Sequence, residues 1–400
     1  MNNSQMINKT FLTKTILVIL LSIFLLTPEL TFAKTGKSPY YPKKGKHWEH
    51  SSPERSGFIS SQLKEAVEFA VNNEYSGSRD LRIEILKSFS REPYIKIVGP
   101  VKKRGGPAGV ILKSGYIVSE WGDVNRVDMT FSVTKSYLST IAGLAVDLGF
   151  IRNVNDKLTD YVWDGTFEGK HNSGVTWDNL LTQSSDWSGI LFGKKDWADR
   201  PPSEGGIDDW KMRKFNIPGT VFKYNDVRVN VLAYSLLQVW RKPLPVILKE
   251  KVMDPIGASQ SWRWFGYSNS WVNVDGTKVQ SVSGGGHSGG GIFINTLDHA
   301  RYGLLFLRNG NWEGKQLISK EWIKRVQNPS IANPGYGYMW WLNSGGNRKM
   351  DGVPTTVYYA AGFGGNYIVI DEANDIVIVT RWLEPAKLVD FLKIFYKSFK

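Results

Sequence analysis

"DMTFSVTKSYLST", Asp128–Thr140, sets a hydroxyl and an amine three residues apart, Ser132 and Lys135. Residues three apart on a helix share a face. Downstream, Tyr137, Ile141, Leu144 and Leu148 recur at helical spacing and Gly149 supplies a stop, so a helix is expected from Ser132 to Phe150. A serine hydroxyl is a poor nucleophile and needs a base. A lysine, which normally titrates near ~10.4, serves as one only where burial and neighbouring donors disfavour its charge. The start of a helix adds free N–H groups and a positive field, both suited to negative charge on an attacked carbonyl. The plain alternative is a capping serine beside a solvated lysine, and the pair alone does not separate the two.

Working outward, the segments before and after this helix read differently from the middle. "SSQLKEAVEFAVNNE" from Ser60 has Leu63, Val67, Ala70 and Val71 at helical spacing, and "AGVILKSGYIVSEWGD" from Ala108 reads as a β-hairpin turning at "KSG". Near the other end, "GGGIFINTLDHARYGLLFLRNG" reads as a strand then a helix. "VYYAAGFGGNYIVIDEANDIVIVTRW" reads as two or three strands, and "PAKLVDFLKIFYKSF" as a final helix. Residues 151–280 are loop-rich and Trp-rich, with short helices such as "VRVNVLAYSLLQVWR". The expected class is α+β, of the α/β sandwich type. An antiparallel sheet is built from both chain ends and flanked by helices, with a mostly helical lobe inserted between them. The expected sheet lobe spans about 57–130 and 285–400, and the helical lobe about 131–284.

The beginning of the chain carries a different signal. Lys9 and Lys14 precede the apolar run "ILVILLSIFLL", Ile16–Leu26, and Ala33 closes a segment with the layout of a secretory signal peptide, 1–33. The expected location is therefore outside the cytoplasm: extracellular, cell-wall-associated or periplasmic. An uncleaved anchor is the alternative. Residues 34–56, rich in Lys, Pro and Gly, read as a tether. With no cysteine among 400 residues, disulfides and thiolate metal sites are excluded. The formal net charge of +13 suits anionic neighbours such as wall polymers or lipid headgroups. The lysines are scattered and no basic stripe forms, so nucleic acid is not an expected partner. Sixteen tryptophans point to an aromatic-rich core or an aromatic-lined cleft.

Two further stretches join the opening one. "PGTVFKYNDVRVN" places Tyr224, Asn225 and Asp226 before an apolar helix, and "AAGFGGNYIVI" places Gly362–Asn366 at the start of a strand. In order and approximate spacing these resemble the serine β-lactamase and penicillin-binding-protein family, particularly its class C β-lactamase and esterase branch. That branch carries S-x-x-K, then Y-x-N, then a K-T-G-like or H/Y-G-G-like triplet on the sheet edge. "VTWDNLLTQSSDWSGI" and "SGGGHSGGGIFINTLDHARYGLLFL" add to the likeness, which covers roughly 57–397. The resemblance implies a serine hydrolase that works through an acyl-enzyme on Ser132. Lys135 would be base or proton relay, and Tyr224 would pass the proton to the leaving group. The backbone N–H groups of Ser132 and Asn366 would form the oxyanion hole. Substrate contacts would come from Asp226, His287, Phe363, Gly364, Gly365 and Trp187, with no metal and no cofactor. The partner would be a small-molecule or cell-wall-derived ester or amide.

Two departures bear on specificity. Asp226 stands where the family has the asparagine of Y-x-N, and Phe363 where it has the lysine of K-T-G. An exposed Asp226 would repel an anion and Phe363 cannot attract one. A neutral ester or amide is therefore expected in preference to a β-lactam or a free C-terminal carboxylate. The alternatives are a catalytically weak penicillin-binding or sensor-like wall protein, and a true β-lactamase or D-Ala-D-Ala carboxypeptidase. A competing nucleophile, Ser288 in "GHSGG", formally matches G-x-S-x-G. The only histidine after it is His299, on the helix that would follow the elbow. Ser288 therefore reads as part of a Gly-rich turn lining the cleft. His47, His50, His171, His287 and His299 show no zinc-binding spacing.

Overall fold

The computed structural model describes residues 39–45, 47–345 and 349–400. The expected signal peptide lies outside these residues. Among the described residues, no helix is long and apolar enough to cross a membrane.

The apolar runs at both ends of the chain pair with one another. Six strands form one antiparallel sheet in the order Trp341–Leu342, Tyr358–Gly362, Asn366–Asp371, Ile376–Arg381, Ala108–Lys113, Tyr116–Trp121. Its centre is the join between the chain ends, with Val110 opposite Val379 and Leu112 opposite Val377. Strand side chains alternate between faces, so consecutive apolar residues feed two cores. Val110, Leu112, Ile368, Ile370, Val377 and Val379 enter one. Ile111, Val369, Ile376 and Ile378 enter the other. The first face packs the helix Thr296–Leu307, and the second is covered by Ser60–Asn72 and Leu388–Lys397. Burial on both sides explains why these strands read as unbroken hydrophobic runs instead of alternating ones.

Two expectations change here. The tether reading does not fit the described part of 34–56. From Pro39 the arm lies on the body, and Arg301, itself buried, donates to the carbonyls of Pro42, Lys43, Gly45 and Ile256. Trp48 is buried and donates to Gly115 O at 2.7 Å. The inserted lobe is also less helical than expected. Arg263–Val274 is a long strand hairpinned to Thr277–Val282. With Gly291–Ile294 and Asp128–Met129 it builds a second antiparallel sheet. The turn is Asp275-Gly276, both with positive φ, a combination that favours tight hairpins and was legible in "NVDGTKV".

Candidate active site

The second sheet fixes the serine. Asp128 pairs with Ile294 and Met129 with Phe293, and Thr130 N donates to Ile292 O. The chain then makes a 3-10 turn, Phe131–Val133, and enters a helix at Thr134 that runs to Asp147. That helix is buried on every side from Thr134 to Ala145, so it is central, not amphipathic. Phe131, next to Ser132, has φ +49°, a left-handed conformation unfavourable for a bulky residue. Its ring is held by Phe363 and Trp382, with ring centres 5.1 and 6.4 Å away. Gly362 lies so close to Thr130 O that a Cβ there would overlap it. The strained turn is thus clamped between the two sheets, and Ser132 remains partly exposed at its crest.

Beneath Ser132 lies a chain of buried charge. Lys135 Nζ donates to Ser132 Oγ at 2.8 Å and to Asp226 Oδ1 at 2.6 Å. Lys135 and Asp226 are both at least 97 % buried, and a side chain at Gly285 would overlap the contact between them. Arg200 Nη1 forms an ion pair with the other carboxylate oxygen, Asp226 Oδ2, at 2.6 Å, without hydrogen-bond alignment, and donates to Asp199 Oδ1 at 2.7 Å. Arg200 Nη2 donates to His287 Nδ1 at 3.1 Å, so His287 Nε2–H is left to donate to Glu92 at 2.6 Å. Burial pushes the Asp226 carboxyl up, but Lys135 and Arg200 beside it outweigh that and hold it well below the usual carboxylate range. Tyr224 borders the same cluster, with Lys135 Nζ 4.6 Å and Arg200 Cζ 5.3 Å from its ring centre.

Above Ser132 opens a cleft of about 640 Å³. Its walls include Tyr75, Phe89, Phe222, Tyr224, Trp341 and Phe363, with Arg200 among them. A partly exposed serine bonded to a buried lysine, under an aromatic cleft and against a strand edge, is the arrangement the S-x-x-K likeness implies. The family model described as "Beta-lactamase" matches residues 123–381. This chain belongs to the β-lactamase family. Solved structures with a similar fold include a putative 6-aminohexanoate-dimer hydrolase from Bacillus anthracis (18 % identity, 90 % of this chain and 89 % of that one, TM-score 0.55). Others are EstCE1, described as a hydrolase with promiscuous acyltransferase activity (14 %, 85 % and 99 %, 0.54), and a family VIII carboxylesterase (16 %, 74 % and 93 %, 0.52). The β-lactamase-family fold of serine hydrolases is therefore the frame in which the site is read.

Within this β-lactamase-family site, the residues singled out from sequence separate into two groups. Ser132, Tyr224, Phe363 and Gly364 line the cleft, and Lys135 lies directly beneath. Asp226 does not face substrate as an exposed carboxylate: it is buried and bound by two cations, so the expected repulsion of an anion has no exposed source. His287 is buried behind Arg200. Trp187 is a core residue whose indole donates to Thr166 O at 2.8 Å, because its loop folds inward under the helix Asp226–Trp240. Gly365 packs against the Leu383 backbone and Asn366 is buried beyond the hairpin turn, its amide donating to Phe363 O at 2.7 Å. The cleft edge beside Ser132 runs from Ala361 to Gly364, starting two positions before the Phe363–Gly365 triplet expected from the sequence. Ser288 is also buried, away from this cleft, with its carbonyl accepting from Val98 and Gly99. His299 is bonded to Thr130 and Tyr137 and does not serve Ser288.

Arg200, Asp199, Glu92 and Gly285 were not singled out from sequence. The first three lie in charged, Pro-containing loops that look solvated. Gly285 had a signal, the run "SGGGHSGGG", since repeated glycine marks close backbone approach. Glu92, Asp199 and His287 have metal-ligand character and cluster closely. Here the guanidinium of Arg200 supplies the positive charge among them and His287 is bonded directly to Glu92, so their donors are already spent on one another.

Proposed function

We propose that this protein is an exported serine hydrolase that cleaves a neutral ester or amide through an acyl-enzyme on Ser132. The observation that carries the reading is the 2.8 Å bond from Lys135 to Ser132 at the floor of an aromatic cleft, with Asp226 behind the lysine. In the proposed step Lys135, having released one proton, keeps an N–H on Asp226 and turns its lone pair to the Ser132 hydroxyl, whose proton it takes as Oγ bonds to the substrate carbonyl carbon. The ammonium that forms is met by the Asp226 carboxylate, as a triad acid meets its base. The carbonyl oxygen becomes an oxyanion facing the N–H of Ser132 and, in place of Asn366, the N–H of Phe363 on the cleft edge. As the tetrahedral intermediate collapses, the bond to the leaving oxygen or nitrogen breaks. The proton passes to that atom by way of Tyr224. Water then repeats the sequence on the acyl-enzyme.

The cleft favours an apolar acyl group over an anionic one. Its walls are aromatic, and the cation among the described residues that line it, Arg200, is already engaged by two carboxylates. The similar folds, a putative 6-aminohexanoate-dimer hydrolase, a family VIII carboxylesterase and a hydrolase with promiscuous acyltransferase activity, accord with ester or amide chemistry. A fluorophosphonate probe and short-chain p-nitrophenyl esters test the reading, with Ser132→Ala as control. Labelling at Ser132 with steady release of p-nitrophenol supports it. Equal labelling of Ser132→Ala sinks it. Stable labelling without turnover favours the penicillin-binding or sensor-like alternative, and nitrocefin hydrolysis faster than ester hydrolysis favours a true β-lactamase.

A further inference from the structure

The dipeptide Asp199-Arg200 reaches the Tyr224–Asp226 motif in three ways. Asp199 Oδ2 accepts from the backbone N–H of Asp226 and, at 3.2 Å, from that of Val227, so it fixes the start of the helix that carries Asp226. Arg200 takes Asp226 Oδ2, which leaves Oδ1 to Lys135. Its guanidinium also lies against the rings of Tyr224 and Phe89, 5.3 and 5.5 Å from their centres. The backbone there is constrained. Arg200 has φ +48°, precedes two prolines, and its N–H is held by Glu92 at 3.1 Å. A non-glycine residue kept in this conformation needs surroundings that over-determine it.

We propose that Arg200 is a positioning residue of the hydrolase. By binding one oxygen of Asp226 and packing on Tyr224, it aims the other oxygen at Lys135 and holds the tyrosine beside it. This rests on the acyl-enzyme reading above. The groups facing the Lys135–Asp226 pair are Arg200, His287, Asp199, Tyr224 and Tyr267, with Glu92 one contact further through His287. Removing Arg200 takes away the positive charge that disfavours a proton on the pair and frees Asp226 to turn.

The test compares Arg200→Ala and Arg200→Lys with the full chain on a short-chain p-nitrophenyl ester, measuring kcat and KM from pH 5 to 10. Melting temperature and fluorophosphonate labelling rate are read alongside. Arg200→Ala is expected to lower kcat about 10²-fold, the scale of a misplaced general base. KM should stay within about twofold, and the rising limb of kcat/KM should move to higher pH. Arg200→Lys, which keeps a cation but not the planar guanidinium that reaches Asp226, Asp199 and His287 together, should recover part of kcat and restore the limb. A rise in KM at constant kcat would make Arg200 a substrate contact and overturn the proposal. Unchanged kcat and limb in a folded Arg200→Ala protein would also overturn it. If Arg200→Ala does not fold, Arg200→Lys decides: a kcat wholly or partly retained, with KM within about twofold and the limb in its wild-type place, supports the placement, and a limb displaced despite the retained cation, or a raised KM at wild-type kcat, overturns it. Failure of the wild type to label at Ser132 would instead be a failure of the acyl-enzyme reading itself.

Discussion

The floor and the walls of the cleft are built on opposite principles. The floor is a set of ionic side chains, Lys135, Asp226, Arg200, Asp199 and Glu92, with the His287 imidazole between Arg200 and Glu92, joined at about 2.6–3.1 Å. The walls are aromatic rings that touch at centre distances of roughly 5–6 Å, as Phe363 does with Tyr75, Phe89 and Phe131. A buried ion tolerates no loss of its partner, because the remaining charge is stranded away from water. An aromatic contact degrades gradually with size and shape. The chemistry of this protein should therefore be brittle and its substrate range adaptable.

The largest effect expected is that of Ser132→Ala, which should reduce ester hydrolysis and probe labelling to background. Next comes Gly285→Ala. The added methyl overlaps the Lys135–Asp226 contact, so kcat should fall by about 10²-fold or more. The melting temperature should fall with it, since overpacking costs about 1–3 kcal/mol. Asp226→Asn strands Lys135 and Arg200 and should cost about 3–5 kcal/mol in urea unfolding at pH 7. The sign with pH follows from the lowered Asp226 pKa. Its contribution is fully present above the ordinary carboxylate value, near ~4, and is lost as pH falls below it. The gap between wild type and Asp226→Asn should thus hold from pH 7 to 5 and narrow only in stronger acid.

The walls should respond less. Phe363→Leu should change KM for bulky acyl esters by about tenfold or less and leave kcat for acetyl esters near wild type, since such pocket changes amount to about 1–3 kcal/mol. Trp187→Phe should leave both kinetic constants unchanged while lowering stability by about 1 kcal/mol, the loss of its bond to Thr166. A kinetic effect there would put Trp187 back in the cleft and blur the boundary between floor and core.

What sequence reading reached follows the same division. Elements with a strong period or turn signal were legible: the Ala108–Trp121 hairpin, the strands from Tyr358 to Arg381, and the helix after Ser132. The Arg263–Val274 strand was not, because its aromatic and polar residues lack clean alternation and only the Asp-Gly turn marks it. In the site, Ser132, Lys135 and Tyr224 carry local motifs. Arg200 does not, since its meaning depends on Asp226 and His287, which come 26 and 87 residues later. The placement of Asn366 erred for a related reason. A run of glycines permits several alignments, and the positive φ values of Gly364 and Gly365 turn the chain away before Asn366 is reached. The arm misled because the residue that holds it, Arg301, lies more than 250 positions away.

Gly285 also gives the site a signature that can be read from a single letter. Its missing side chain is the space in which the carboxylate and the amine meet. A related chain that carries any larger residue there cannot seat an acid against the S-x-x-K lysine in this way, whatever occupies the position of Asp226. Glycine here and aspartate there should therefore occur as a linked pair, and together they would divide S-x-x-K hydrolases into those whose lysine is backed by an acid and those whose lysine is not.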